Sequence, residues 1–186
     1  PSTPRLTTTT PACGTTDTAA PTTTTAAPSG GWATTNISRT LTCTDNPATG
    51  ASGCAATYWQ FVAINATCPA AGSTSYSTGT TASTTTNGGW RLCFYSRDNA
   101  NNTENPVKSL SPFQLDSVAP TGSITAPTAS ATVSGNAVTL SATASDALSG
   151  VSGVSSRIDG VSVGTDTTSP YSLTWNSTTV ANGTHA

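Results

Sequence analysis

A six-residue phrase that occurs twice limits the size of any folded unit in this chain. Asp17-Thr-Ala-Ala-Pro-Thr22 is echoed by Asp116-Ser-Val-Ala-Pro-Thr121, at an offset of 99 residues. Proline fixes its own φ angle and keeps the preceding residue extended, so each phrase suits a short joint between modules. About a hundred residues is the usual size of one small domain. The repeat therefore predicts small modules in line rather than one large core.

The segments on either side of the joints have the pattern of β-strands. Apolar and polar residues alternate there, or β-branched and aromatic residues cluster, and Asp159-Gly160 predicts a hairpin turn. The fold class predicted is all-β, with tandem immunoglobulin-like antiparallel β-sandwiches and almost no helix. The predicted strands are 37–44, 56–63, 89–96, 111–115, 122–125, 137–144, 155–158, 161–163 and 171–175.

Two parts of the chain resemble bacterial immunoglobulin-like (Big-type) repeat domains of extracellular surface, adhesin or filament proteins. Residues 122 to 186 carry the ordered phrases of that family, and 22 to 115 is similar to a cysteine-containing relative. The resemblance implies spacer, adhesive or filament roles and names no ligand. In the family, a glycine would stand at Asn101. The phrases are Ala126-Pro127, Val133-Ser-Gly135, Val138-Thr-Leu140, Ser149-Gly-Val151, Ile158-Asp-Gly160, Asn182-Gly-Thr184, Leu41-Thr-Cys-Thr-Asp45, Ser52-Gly-Cys54 and Asp98-Asn-Ala-Asn-Asn102.

The resemblance and the joints divide the chain into five parts. Residues 1–16 are expected to be a terminal strand of a preceding or neighbouring module, and 17–21 and 116–121 are the joints. Residues 22–115 are expected to be a disulfide-containing domain. Residues 122–186 are expected to be a domain without its last strands.

The composition excludes two classes of partner. Lys and Arg together number 6, and charged residues make up 8% of the chain, where about 25% is ordinary. No basic surface is therefore expected to bind nucleic acid. No segment approaches the roughly 18 consecutive apolar residues of a membrane span.

The five cysteines indicate an oxidising compartment, and strand parity predicts how four of them pair. Leu41 and Cys43 share a face, as do Leu92 and Phe94, so Cys93 is expected to point away from the core. A core-crossing bond from Cys43 to Cys93 is therefore disfavoured. The predicted bonds are Cys43 to Cys54 and Cys68 to Cys93. Cys13 is left over and indicates an intermolecular or inter-module bond, or only the edge of the sequence.

Candidate chemistry is sparse, and no catalytic residue or cofactor is expected. The single histidine, His185, stands one residue from the end of the sequence in a presumed strand, so catalysis by it is not expected, and zinc spacing is absent. Calcium is the one cation considered, through oxygens of Asp45, Asp98, Asn99 and Asn101. N-glycosylation sequences begin at Asn36, Asn65, Asn101, Asn176 and Asn182. The four tryptophans are expected in the cores, with a sugar-stacking platform as the alternative: Trp32, Trp59, Trp90 and Trp175.

The predicted function is that of a structural segment of an extracellular or cell-surface fibre or stalk. Its partners would be copies of itself or adjacent repeats. Residues 1 to 16 are expected to pair as a strand with the C-terminal module of a neighbouring copy. The alternatives are an adhesin or carbohydrate-binding module that contacts glycans, and accessory domains of a larger secreted enzyme.

Overall fold

The structure is a computed structural model, and it describes residues 16–46 and 50–186. The chain divides into unit 1, which ends at Leu115, and unit 2, from Asp116 to Ala186. In the described residues the regular elements are strands and one 3₁₀ turn, Ser177–Thr179. In the described part of the chain, no helix has the length and apolar character needed to cross a membrane. The all-β prediction is confirmed.

The described residues of unit 1 form nine strands. Five of them form the sheet β2-β9-β8-β5-β6, while β1 pairs with β4 and β3 pairs with β7. β2 runs parallel to β9, and the other pairs are antiparallel. The strands are β1 Thr22–Thr24, β2 Trp32–Ala33, β3 Ile37–Thr40, β4 Thr42–Thr44, β5 Cys54–Ala63, β6 Ser77–Thr78, β7 Thr81–Thr84, β8 Gly88–Asp98 and β9 Lys108–Leu115.

The core of unit 1 lies on one face of β8. Leu92 and Phe94 are buried there, opposite Phe61 and Trp59 of β5. Alternation continues the same face through Ser96 and Asp98, which are fully buried. The interior of unit 1 therefore changes from apolar to polar along one strand. The buried core side chains are Ile37, Leu41, Ala82, Leu92, Phe94, Phe113 and Leu115.

The opposite face of β8 is also covered, which the sequence did not indicate. Cys93 lies on that outer face, as parity predicts, yet it is 0% exposed. The segment between β5 and β6 supplies the cover, because Cys68 and Tyr76 of that segment pack against Cys93 and Tyr95. The Tyr76 hydroxyl donates to Pro69 O at 2.7 Å. Burial of the Tyr76 ring raises the pKa of its hydroxyl.

Unit 2 has five strands in two sheets. One sheet has the order β10-β11-β14, and β12 pairs with β13. β10 begins at Thr121, the last residue of the predicted joint and one residue before the predicted strand. The strands are β10 Thr121–Ala126, β11 Val138–Ser145, β12 Val154–Ile158, β13 Val161–Asp166 and β14 Tyr171–Trp175.

Unit 2 buries less apolar surface than unit 1. Tyr171 and Trp175 are its buried apolar residues, whereas Ile124 and Val161 are 78% and 69% exposed. The last residues lie against the β12–β13 hairpin, where Ala186 O accepts the N–H of Asp159 at 2.6 Å. Within residues 116–186, no third strand extends the β12–β13 sheet.

Candidate functional site

The first aspartate of each repeated phrase has the same hydrogen-bond arrangement, and it begins at Asp17 in unit 1. One Asp17 carboxylate oxygen accepts the N–H of Ala19 at 3.0 Å, which is an Asx turn within the joint. The other accepts the N–H of Ser52 at 2.8 Å. Beside it, Asp45 accepts the N–H of Gly53 at 2.6 Å. The joint is thus tied to the turn that precedes β5.

Unit 2 repeats this arrangement. Asp116 accepts the N–H of Val118 at 3.0 Å and that of Ser149 at 3.0 Å. Asp146, which follows β11, accepts the N–H of Gly150 at 2.9 Å. In both units a joint aspartate holds the serine of a Ser-Gly pair and a turn aspartate holds the glycine. The joint motif is therefore a two-aspartate clasp on a Ser-Gly turn.

The glycine of that turn is required by backbone conformation. Gly53 has φ +84° and Gly150 has φ +79°, in the left-handed region where a Cβ is disfavoured. This conformation presents two successive N–H groups to the two carboxylates. The joint phrase and the Ser-Gly phrase were each recognisable in the sequence, but the contact between them was not predicted. The recurrence of both phrases in each module is the signal that could have linked them.

Hydrogen bonding stabilises the ionised form of the joint aspartates. The N–H groups of Ser52 and Ala19 hold the pKa of Asp17 below its usual value. The Ser149 side chain, followed by the N–H groups of Val118 and Ser149, lowers the pKa of Asp116. Both joints are therefore anionic at neutral pH.

A third carboxylate completes a cluster in unit 1. Ligand oxygens of Asp17, Asp45 and Asp98 lie within 4.8 Å of one another. Asp98 is 0% exposed, and its two oxygens accept the backbone and side-chain N–H groups of Asn102, both at 2.8 Å. No basic side chain forms an ion pair with the three in the described part of the chain.

The cluster has the oxygen ligands and charge that a hard cation such as Ca²⁺ takes. Each carboxylate is already held by two N–H donors, so the arrangement does not require an ion, and calcium stays a prediction. The set differs from the one predicted. Asp45 and Asp98 belong to it, and Asp17 is the third member.

Asn99 and Asn101, the two remaining residues of the predicted calcium set, have structural roles in the turns. The Asn99 side-chain amide donates to Ser52 O at 2.9 Å, so it also holds the Ser52-Gly53 turn. Asn101 has φ +70°, the left-handed conformation that the family's glycine would take. Asparagine tolerates this conformation better than most residues, which explains the departure from the family phrase.

A buried glutamate joins three strands near this cluster. Glu104 is 6% exposed and accepts the N–H of Thr23 at 2.9 Å and the N–H of Ser96 at 3.1 Å. Lys108 Nζ lies 2.6 Å from Glu104 Oε1 and also donates to Thr23 O at 2.8 Å. Glu104 and Lys108 therefore bind β1 through its backbone and join it to β8 and β9. We call these contacts of Glu104 and Lys108 with Thr23 and Ser96 the Glu104 clamp.

Buried hydroxyl groups extend the Glu104 clamp into the core. Thr23 Oγ1 lies 2.6 Å from Glu104 Oε2 and 2.7 Å from Ser96 Oγ, which is 2.9 Å from Thr57 Oγ1. A carboxylate only accepts, so the single Thr23 hydroxyl proton points to Glu104 and Ser96 donates to Thr23. The network is thus satisfied without water. The sequence pattern did not indicate this network, although Glu104 is the chain's one glutamate.

The predicted disulfides are confirmed. Cys43 is bonded to Cys54 and Cys68 to Cys93. Cys13 lies outside the described residues, so its bond stays a prediction. The asparagines of the five glycosylation sequences, at 36, 65, 101, 176 and 182, are all exposed, and their modification likewise stays a prediction.

His185 and the tryptophans occupy separate places. His185 Nδ1 lies 2.6 Å from an Asp159 oxygen and Nε2 lies 2.8 Å from Ala181 O. Asp159 raises the pKa of His185. Trp59 and Trp90 pack against the unit 1 core. Trp175 is buried in unit 2, while Trp32 is half-buried beside an open cleft.

The fold and the repeated clasp define a modular, immunoglobulin-like β protein. Residues 120–186 match the family model described as a bacterial Ig domain. No curated protein matches the chain. Among solved structures, fibronectin(III)-like modules of Clostridium thermocellum CbhA are 21% identical and have a TM-score of 0.33. The match covers 88% of this chain and 82% of that one, and it is too weak to support a conclusion.

Proposed function

We propose that the chain is a load-bearing, non-catalytic segment of an extracellular stalk or filament. The observation that carries this is the attachment of β1. Tension on modules in line would enter unit 1 through the residues before β1 and leave it at the end of β9. β1 forms only three residue pairs with β4, and the Glu104 clamp adds bonds to the N–H, the carbonyl and the hydroxyl of Thr23.

The next strand would also resist tension. β2 pairs in parallel with β9, Trp32 with Gln114 and Ala33 with Leu115. Pulling the start of β2 away from the end of β9 slides parallel strands along each other, so their hydrogen bonds are loaded together rather than one by one. Two successive attachments near the N-terminus of unit 1 thus oppose extension.

The disulfides would limit extension once the strands separate. The two disulfides close loops with sequence separations of 11 and 25 residues. These loops cannot be extended while the bonds are oxidised. Disulfides persist in oxidising compartments, which supports an extracellular or surface location.

Other features support a role without catalysis. His185 is the one histidine, and the imidazole nitrogen that a hydrolase would use to take a proton is bonded to Ala181 O. Glycan binding is the second candidate function, favoured by the position of Trp32 in a cleft.

Pulling single molecules of the full chain from both ends tests the proposal. We expect a discrete unfolding peak for unit 1. After thiol reduction the unfolded length should increase by roughly 120 Å, since an extended residue spans about 3.5 Å. Gradual extension of unit 1 without a peak would contradict a load-bearing role.

Head-to-tail assembly through residues 1 to 16 is a separate part of the proposal, and those residues lie outside the described part except for Thr16. Sedimentation of the full chain should show concentration-dependent association that is lost when residues 1–15 are removed. Equal association of both forms would leave the stalk role intact and refute this mode of assembly.

A further inference from the structure

Arg39 has an unusual position for a charged residue. It lies on β3 two residues after Ile37, which shares its strand face and is 5% exposed, and two residues before Leu41, which follows the strand and is 1% exposed. Such a core-facing position normally holds an apolar side chain. Arg39 is half-buried there, so its charge requires an explanation.

The contacts of Arg39 within the chain leave it incompletely satisfied. Its Nη1 donates to Ser38 O at 2.8 Å, and the guanidinium lies over the Phe113 ring, 5.1 Å from the centroid. Its Nε is buried without an acceptor. No carboxylate in the described residues forms an ion pair with it. The ring explains where the guanidinium lies, but an anionic acceptor is missing.

Arg39 lines a cleft of about 80 Å³ between the loop before β2 and the end of β9. Its lining also includes Ser29, the glycine pair 30–31, Trp32 and Gln114. Pockets that enclose a whole small ligand are several times larger, roughly 300 Å³ or more. The cleft therefore fits one group of a larger ligand whose remainder lies outside.

We propose that this cleft binds the carboxylate of an acidic sugar unit, such as a uronic acid, within a glycan. The guanidinium of Arg39 supplies a planar pair of donors that matches a carboxylate. The Trp32 indole supplies an apolar face for the C–H side of the sugar ring. The Ser29 hydroxyl and the Gln114 amide supply donors and acceptors for sugar hydroxyls. The ligand carboxylate would supply the opposite charge that Arg39 lacks.

Titration of the full chain with tetragalacturonate, followed by NMR, tests this inference. The Arg39 Nε–H and Trp32 indole N–H signals should shift with the free acid. The fully methyl-esterified tetramer, which has the same rings without carboxylates, should bind at least roughly tenfold more weakly, because it cannot form the charged pair. Added salt should weaken binding of the acid.

Arg39→Met should abolish binding and leave the chain at least as stable as the wild type, because an apolar side chain suits this strand face. Arg39→Lys keeps the charge without the paired donors, so it should bind several-fold more weakly. Arg97→Met, at an exposed arginine of β8, is the matched control and should leave affinity unchanged.

Equal binding of acid and ester would overturn the inference. Unchanged affinity in Arg39→Met would do the same, as would unchanged affinity in Arg39→Lys if the methionine variant failed to fold. Shifts produced by tetraglutamate but not by tetragalacturonate would show that the cleft takes an acidic peptide. The absence of any shift at millimolar ligand would show that Arg39 is purely structural.

Discussion

Replacing Glu104 with glutamine tests whether the Glu104 clamp holds β1. The substitution preserves size but turns one acceptor oxygen into an N–H₂ donor. In the wild type, Oε1 faces the Thr23 N–H and Lys108, and Oε2 faces the Thr23 hydroxyl and the Ser96 N–H. Whichever way the glutamine amide is turned, its N–H₂ group meets at least one backbone donor.

The expected cost follows from the bonds that this change removes. The N–H₂ group faces two of the four contacts, and each of those two loses its acceptor, at about 1.5 kcal/mol for a hydrogen bond to a charged group. The Lys108 side chain is 37% exposed, so water replaces its partner and its contribution is small. The total cost to the local stability of β1 is about 1.5 kcal/mol if the N–H₂ group replaces Oε1, and about 3 kcal/mol if it replaces Oε2.

Amide hydrogen exchange at Thr23 is the direct assay, because its N–H donates to Glu104. A local loss of about 1.5–3 kcal/mol corresponds to exchange faster by roughly 10- to 100-fold. The β8 amides in the core, such as that of Leu92, should change much less. Arg97→Gln, an exposed charge on the same strand, serves as the control and should leave Thr23 exchange unaltered.

Exchange at Thr23 that rises less than about threefold in Glu104→Gln would refute the reasoning. A Thr23→Val variant provides an independent check, since it removes the hydroxyl but keeps the backbone bonds. The two substitutions share partners, so their effects should be clearly non-additive. Additive effects would mean that Thr23 and Glu104 act separately.

Three further predictions concern other parts of the chain. Gly53→Ala should lower the stability of unit 1 by about 1–2 kcal/mol in urea denaturation, because the φ angle of Gly53 is +84°. Gly183→Ala, where an added Cβ meets open space, should not lower stability. Equal effects of the two substitutions would contradict the turn argument. Replacing Cys68 and Cys93 by alanine should cost about 3.5 kcal/mol by loop entropy in the same assay; no change would refute the role of the bond. The pKa of His185 is raised and that of Asp159 is lowered. Their pair should therefore stabilise unit 2 between about pH 4 and 6.5. This stabilisation should be lost as pH rises through the His185 pKa or falls through the Asp159 pKa. NMR titration should show the His185 pKa falling in Asp159→Asn, and an unchanged value would contradict the pairing.

Strand positions and disulfides could be predicted because they follow from local periodicity. The segment 171–175 is β14 as predicted, and the parity of Leu92 and Phe94 correctly separated Cys93 from the core face. Those inferences need only the two-residue repeat of a strand.

Long-range polar contacts could not be predicted in this way. Asp17 and Ser52 are separated by 35 residues, and Thr23 and Glu104 by 81. Glu104 lies outside the strands, where no alternation assigns a face. The cover over Cys93 was missed for a related reason, because an irregular segment supplies it. The inward position of Arg39 was readable from parity with Leu41, but its open cleft depends on the loop before β2.

The force at which unit 1 unfolds tests the load-bearing role most directly. The full chain and Glu104→Gln would be pulled at one loading rate under oxidising conditions, with Arg97→Gln as control. The Glu104 clamp predicts a lower unit 1 peak force in Glu104→Gln, with the same unfolded length and an unchanged peak in Arg97→Gln. Equal peak forces in the wild type and Glu104→Gln would contradict the claim that this clamp bears the load.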